Sequence, residues 1–192
     1  MAAEDSAAAA ATEDLLSRAM ADPTVADLDG RLRAEGFART GNTADPAAGT
    51  FLFSYQRDGG TGAQISGAMD DDLRFARLDT AASLDVPALL AENETFYDYM
   101  SQLTTEGLPR GGTTINATHQ SERLAFSFGD GAAFINATIA DSAVQDVRLQ
   151  RRLKWMPSTP SRRFRGGARG AVAAAARVQG STLAPASLYD LS

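Results

Sequence analysis

Two blocks of short segments with alternating side chains constrain the fold of this chain most. In the first block, residues 51–56 alternate aromatic with other side chains, and segments at 63–69 and 73–78 follow across short turns. The second block comprises four segments, at 113–119, 123–128, 132–139 and 143–149. Strands joined by such short turns pair in the antiparallel sense, because a parallel pair needs a long crossover connection. The sequence therefore predicts the α+β class rather than the α/β class.

Helix signals precede each block of strands. Asp22 and Pro23 are typical of an N-cap followed by the first helical position, and apolar side chains then recur at helical spacing up to Gly36. A further helix is predicted between about residues 87 and 107. Residues 38–49 are rich in Gly, Asn, Asp and Pro, which predicts a loop. The predicted order is α(α)-βββ-α-ββββ, with one or more antiparallel sheets packed against helices.

The chain is predicted to have three parts. Residues 1–11 are low-complexity alanine without an apolar face and are predicted to be disordered. Residues 12–155 are predicted to form a single acidic α+β domain. Residues 156–192 are rich in Pro, Arg, Gly and Ala and form a basic C-terminal arm. The sequence shows neither a signal-peptide pattern nor a transmembrane stretch of roughly 18 apolar residues, so a cytoplasmic location is expected.

The charges divide unevenly along the chain. Residues 1–147 carry nine basic and 23 acidic side chains, net −14, whereas residues 148–192 carry nine basic and one acidic, net +8. A basic arm on an acidic body either folds back on it or meets an anionic partner. An acidic protein partner is favoured over nucleic acid, because one short basic tract in a net acidic chain is a weak nucleic-acid signature. The candidate partner-binding residues are Arg162, Arg163, Phe164, Arg165, Arg169 and Arg177.

The residue types give little support to catalytic or metal chemistry. The chain has no Cys and one His, His119, which excludes thiolate zinc sites, thiol catalysis and a cluster of histidine ligands. The acidic turn at 70–72 lacks the ligand spacing of a calcium-binding loop. No catalytic residue, metal or cofactor is assigned, and a non-enzymatic protein is favoured. Two copies of Ile-Asn-Ala-Thr, at 115–118 and 135–138, are too short to establish a repeat.

The order of elements resembles that of class I type III secretion chaperones. The likeness is carried by the helix at 25–36, the strands at 51–78 and 124–139, and a final helix at 171–178. The run Leu-Leu-Ala-Glu-Asn at 89–93 is similar to the Leu-Leu-x-x-Asn of that family's middle helix. Those proteins are small acidic dimers that hold a secreted partner in an extended, unreactive state. The resemblance therefore implies a protein-binding homodimer, and the basic arm departs from the family's acidic character.

Three hypotheses about function remain open. The first is a chaperone or adaptor that engages a protein partner through its sheet and its basic arm. The second is a small-ligand binder or cofactor-free enzyme on a cone-shaped α+β fold, in which Tyr97, Tyr99 and His119 line a pocket. A concave sheet face filled by phenylalanine side chains would count against that pocket. The third is an assembly or nucleic-acid-associated protein that acts through the arginine-rich arm.

Overall fold

The computed structural model describes residues 2–152, which form an α+β fold with four helices and one eight-stranded antiparallel sheet. The helices are α1 (Ala2–Ala21), α2 (Pro23–Ala34), α3 (Ala88–Ala91) and α4 (Glu94–Thr105). The strands are β1 (Ala38–Asp45), β2 (Thr50–Arg57), β3 (Thr61–Met69), β4 (Leu73–Thr80), β5 (Arg110–Ala117), β6 (Ser121–Phe128), β7 (Ala133–Ala140) and β8 (Ala143–Arg151). The predicted class and the antiparallel sheet are confirmed. The candidate residues of the basic arm lie outside the described residues.

The sheet is a continuous meander in which each strand pairs with the next one along the chain. Its inner face carries alternate apolar side chains, such as Phe51 and Phe53 on β2, which are buried. Helix α1 lies against β1 and β2, α2 against β3 and β4, and α4 against β7 and β8. The side chains that alternate with the buried ones form the outer face, and many of them are small and polar, such as Ser66, Thr114 and Asn136.

The elements repeat along the chain. Helices α2 and α4 both span 12 residues, and their first residues, Pro23 and Glu94, stand 71 positions apart. Each helix is followed by four consecutive strands and lies against the last two of them. We call α2 with β1–β4 the first unit, and α4 with β5–β8 the second unit. The two units join where β4 pairs with β5.

The amino-acid sequence carries the same repeat. Residues 24–43 and 95–114 are identical at eight of their 20 positions. The identical pairs are Thr24/Thr95, Asp27/Asp98, Leu32/Leu103, Glu35/Glu106, Gly36/Gly107, Arg39/Arg110, Gly41/Gly112 and Thr43/Thr114. The two Ile-Asn-Ala-Thr copies lie on β5 and β7, both in the second unit, and do not belong to this repeat. The two units thus form a tandem repeat of one helix and four strands, and α1 and α3 lie outside it.

Helices α2 and α4 end in the same way. The N–H of Phe37 donates to the carbonyl oxygen of Leu32 at 3.0 Å, and the equivalent bond of the second unit has the same length. The glycines at this point, Gly36 and Gly107, have φ of +80° and +75°. A glycine in the left-handed region, followed by a hydrogen bond back to the last helical turn, is a Schellman ending. The predicted end of α2 at Gly36 agrees with this geometry.

Strand β1 corrects the predicted order of elements. It occupies residues 38–45, inside the predicted loop 38–49, so the first block has four strands rather than three. Seven of its eight residues are exposed and one is half-buried, because β1 is an edge strand that buries few side chains. Strands are predicted from alternating apolar and polar residues, and a strand without a buried face lacks that signal.

Two helical segments also differ from prediction. Helix α1 begins at Ala2, so most of the alanine-rich stretch predicted to be disordered is helical. Alanine has the highest helix propensity, and Leu15 and Ala19 are buried further along the same helix. The helix predicted at 87–107 is divided into α3 and α4, because Asn93 has extended backbone. The Asn93 side chain caps α4 by accepting a hydrogen bond from the Phe96 N–H at 3.0 Å.

Candidate protein-binding site

Strand β1 presents a free edge of the sheet. Among the described strands, β1 pairs only with β2, and β8 pairs only with β7. Between Arg39 and Asp45, β1 contains neither a charged residue nor Pro, which are common protections of an edge strand. A bulge distorts the pairing with β2 only between Arg39 and Gly41. Strand β1 therefore offers backbone donors and acceptors to a further strand.

An open groove of about 780 Å³ lies beside this edge, between α1 and the sheet. One wall is a face of α1 that runs from Ala9 to Ala21, and the other includes Arg39, Asn42 and Phe53. Leu16 and Met20 of the α1 wall are half-buried and pack against the core. The groove thus combines apolar side chains on its α1 wall with the charged side chains of Glu13 and Arg39.

Helix α1 is anchored at one end only. Leu15 and Ala19, in its C-terminal half, are buried in the core. Residues 6–11, in its N-terminal half, are all exposed. One of them, Ala9, lines the groove beside β1. The helix therefore holds an uncharged alanine surface over the groove that a partner could bury.

The repeat shows how the equivalent position is covered in the second unit. Arg110 is half-buried, lies 5.1 Å from the centre of the Phe126 ring and donates a hydrogen bond to the carbonyl oxygen of Leu84. Burial lowers the pKa of Arg110, against opposing contributions from two acidic side chains. Its equivalent, Arg39, lies 5.6 Å from the Phe53 ring but is exposed. The arginine position that is half-buried in the second unit is thus exposed to solvent on β1.

The junction between β4 and β5 shows which contacts can form across such an edge. The Thr114 hydroxyl donates to Asp79 Oδ1 at 2.8 Å, and Arg77 also pairs with Asp79. Burial by itself raises the pKa of Asp79, but the hydrogen bonds from Arg77 and Thr114 outweigh it and hold the pKa below its ordinary value. The Thr114–Asp79 hydrogen bond on the outer face therefore ties the two units together, whereas Arg77 pairs with Asp79 within β4.

His119 lies in a different groove, with a volume of about 710 Å³. Its Nε2 is 2.8 Å from Asp22 Oδ2, and Asp22 Oδ1 accepts the Thr24 N–H at 2.9 Å as the predicted N-cap of α2. Nearby, Arg31 donates to both carboxylate oxygens of Glu122, at 2.7 and 3.1 Å. Because these contacts join the N-cap and the last turn of α2 to β6 and its preceding turn, their geometry supports a structural role for His119.

The tyrosines proposed to share a pocket with His119 lie elsewhere. Tyr97 is 68% exposed and lines a third groove, of about 530 Å³, together with Phe96 and Met100. Tyr99 is half-buried against the core. The linings of the Tyr97 groove and the His119 groove have no residue in common. The structure therefore does not bring Tyr97 and His119 into one pocket.

The inner face of the sheet is filled by aromatic side chains. Exposures of 3% or less are found for Phe51, Phe53, Phe126 and Phe128. The rings of Phe96 and Phe126 pack edge to face, with centres 5.4 Å apart. This packing disfavours the ligand cavity that the cone-shaped alternative requires.

Residues 2–152 contain no group of three or more His, Asp or Glu side chains placed to hold a metal ion. No helix in this part of the chain is long and apolar enough to cross a membrane.

Comparisons with protein-family models, with curated proteins and with solved structures found no match for this chain. The resemblance to type III secretion chaperones therefore stays a prediction from sequence. The candidate site consists of the β1 edge and the groove beneath α1, and no sequence prediction includes it. The repeated Arg39/Arg110 and Thr43/Thr114 pairs could have indicated β1, had the chain been aligned with itself at a spacing of 71 residues.

Proposed function

We propose that this protein is a non-enzymatic protein-binding module, of chaperone or adaptor type, that holds an extended segment of a protein partner along β1. The free β1 edge beside an apolar groove carries this proposal. In strand addition, the backbone of a bound segment forms hydrogen bonds with a sheet edge while alternate side chains enter neighbouring pockets. Leu16 and Met20, which line the groove and are half-buried, offer such a pocket for apolar side chains.

The basic arm is proposed as a second contact. Residues 156–192 carry five basic and one acidic side chain, and so favour an acidic surface on the partner. In this arrangement the sheet edge binds the partner's backbone, and this binding depends little on the partner's sequence. The arm then selects among partners by their charge.

The test uses the full chain and a phage-displayed library of random linear peptides. We expect enrichment of peptides with alternating apolar side chains, because one face of an added strand would lie over the groove. The variant Ser17→Trp fills the groove from an exposed position of α1 and should weaken binding at least about tenfold. Hydrogen exchange should show that a bound peptide protects the amides of β1.

The matched control is Ser101→Trp, which also changes an exposed helical serine but lies in the Tyr97 groove. It should leave peptide binding unchanged. Absence of any enriched peptide would contradict the proposal. Loss of binding in Ser101→Trp with normal binding in Ser17→Trp would also overturn it, because binding would then belong to the α4 groove.

A further inference from the structure

The two free edges of the sheet are related to the two strands that pair at its centre. Strand β5 is the equivalent of β1, and β8 is the equivalent of β4. The run Arg77-Leu78 of β4 recurs 71 positions later as Arg148-Leu149 of β8. Strands β4 and β5 pair with each other inside the molecule. Their equivalents β8 and β1 have free edges, and these edges could pair with each other in the same way if they came from two molecules.

Four of the five internal pairs transfer to residues of the two free edges, and the fifth would place Val147 opposite Pro46, just beyond β1. Within the molecule, Arg77 stands opposite Asn116, Leu78 opposite Ile115, and Asp79 opposite Thr114. The equivalent residues place Arg148 opposite Asp45, Leu149 opposite Ala44, and Gln150 opposite Thr43. All six of these residues belong to β8 or β1, so the transferred register uses the two strands as they stand.

The side chains that the transfer brings together are complementary. Arg148 pairs with Asp146 of its own strand at 2.8 Å and remains exposed. Asp45 is also exposed and carries the opposite charge, and opposite charges placed directly across a strand pair are stabilising. Gln150 and Thr43 can form a hydrogen bond like that of Asp79 and Thr114. Leu149 and Ala44 are half-buried, whereas their equivalents Leu78 and Ile115 are 0% and 2% exposed. Pairing would therefore also cover apolar surface.

The helix layer is compatible with such a contact. Helix α1 lies over β1 and β2, and α4 lies over β7 and β8. Helices over adjacent strand pairs are two strand spacings apart, about 9.6 Å. That distance falls within the usual range of about 8–10 Å between packed helices. The α4 of one molecule would lie beside α1 of the next. It would cover the open side of the groove between α1 and the sheet, which faces solvent in a single molecule.

We propose that β8 of one molecule pairs with β1 of a second copy, so that the sheet continues head to tail from one molecule into the next. The inference rests on the proposed function, since both require β1 to accept an added strand. The contact joins two different edges, so it does not close after two copies as a two-fold homodimer does. Self-association and partner binding then compete for β1, and a partner segment releases the single molecule.

The test measures assembly of the full chain by sedimentation velocity over a range of protein concentrations. The wild-type chain should form species larger than a dimer as concentration rises. Arg148→Glu and Asp45→Arg each place like charges opposite one another and should each weaken assembly about tenfold. When the two variants are mixed, each contact between unlike variants places opposite charges across the strands, either Glu at 148 with Arg at 45 or Arg148 with Asp45. The mixture should therefore assemble as the wild type does.

The control is Arg123→Glu, an exposed arginine on the central strand β6, which should leave assembly unchanged. A chain that stays monomeric at all concentrations, or a dimer that neither charge variant weakens, would overturn the inference. Peptide binding separates this result from the proposed function. Monomeric chains that still bind peptides at β1 would refute self-assembly alone, whereas assembly of the wild type with no peptide binding by the dilute Arg148→Glu variant, whose β1 is unchanged, would refute the proposed function alone.

Discussion

At the scale of single residues, the two units place different pairs of side chains at one pair of equivalent positions between helix and sheet. Asp29 of α2 is 9% exposed, and its Oδ1 accepts a hydrogen bond from the Tyr55 hydroxyl at 2.7 Å. Burial, followed by the contact with Asp29, raises the pKa of Tyr55 well above its ordinary value, so the hydroxyl keeps its proton and donates it. The equivalent residues of the second unit are Met100 and Phe126, which are apolar. An apolar pair thus stands in the second unit where the first has this hydrogen-bonded pair, whose Asp29 also pairs with Arg33.

Tyr55→Phe should lower the free energy of unfolding by about 1–3 kcal/mol, because it leaves Asp29 Oδ1 buried without its donor. Adding Asp29→Met, which copies the second unit, should recover most of that loss. Urea unfolding of the three proteins gives both differences. Tyr97→Phe is the control and should change stability by less than about 0.5 kcal/mol, since Tyr97 is exposed. A double variant less stable than Tyr55→Phe would show that the two sites are not equivalent.

At the scale of elements, both long helices of the repeat depend on a glycine after the last turn. Gly36 and Gly107 have positive φ, and a Cβ added at either would meet at most ordinary contacts. The requirement for glycine is therefore one of backbone conformation and not of space. Gly30, in the middle of α2, has helical backbone and open space around the position of a Cβ.

Gly36→Ala and Gly107→Ala should each destabilise the protein by about 1–2 kcal/mol, the usual cost of a left-handed conformation for a residue with a Cβ. Gly30→Ala should instead stabilise it by up to about 1 kcal/mol, because alanine is the better helix former. Thermal unfolding of the three single variants tests the opposite signs. Equal effects at all three positions would contradict the Schellman interpretation of the helix ends.

At the scale of the whole molecule, the pairing of β4 with β5 makes two repeats into one sheet. Both strands have a neighbour on each side, whereas β1 and β8 have one neighbour each among the described strands. Leu78 and Ile115, which face each other across this junction, are buried. The centre of the sheet should therefore be its most stable part.

Native-state hydrogen exchange should find the slowest amides on β4 and β5 and the fastest on β1, because edge strands open by local fluctuations. The measurement is made at low protein concentration, where self-association does not protect β1. Mass spectrometry of peptides from each strand gives the order. If the amides of one unit exchanged as a block well before those of the other, the two repeats would be separate folding units and this expectation would be wrong.

Much of the fold follows from local sequence signals. The alternation at 51–56 and 123–128 predicts β2 and β6, since each buries one face against the core. The pair Asp22-Pro23 predicts the start of α2, because a cap and a first-turn proline act within a few residues. Strand β1 lacks such a signal because it is exposed. The residues of the candidate site on α1 and β1 could not be paired from sequence, because Met20 and Arg39 line one groove only in the folded protein.

By itself, the sequence determines the α+β class, the antiparallel pairing of neighbouring strands and the charge difference between body and arm. These depend on side chains close together in the chain or on composition. The tertiary structure decides which of two equivalent strands is free. Arg39 and Arg110 occupy the same place in the repeat, yet Arg110 is covered and Arg39 is exposed. The difference arises because the segment that follows β4 of the preceding unit contacts Arg110 through the Leu84 carbonyl oxygen, whereas no described unit precedes β1.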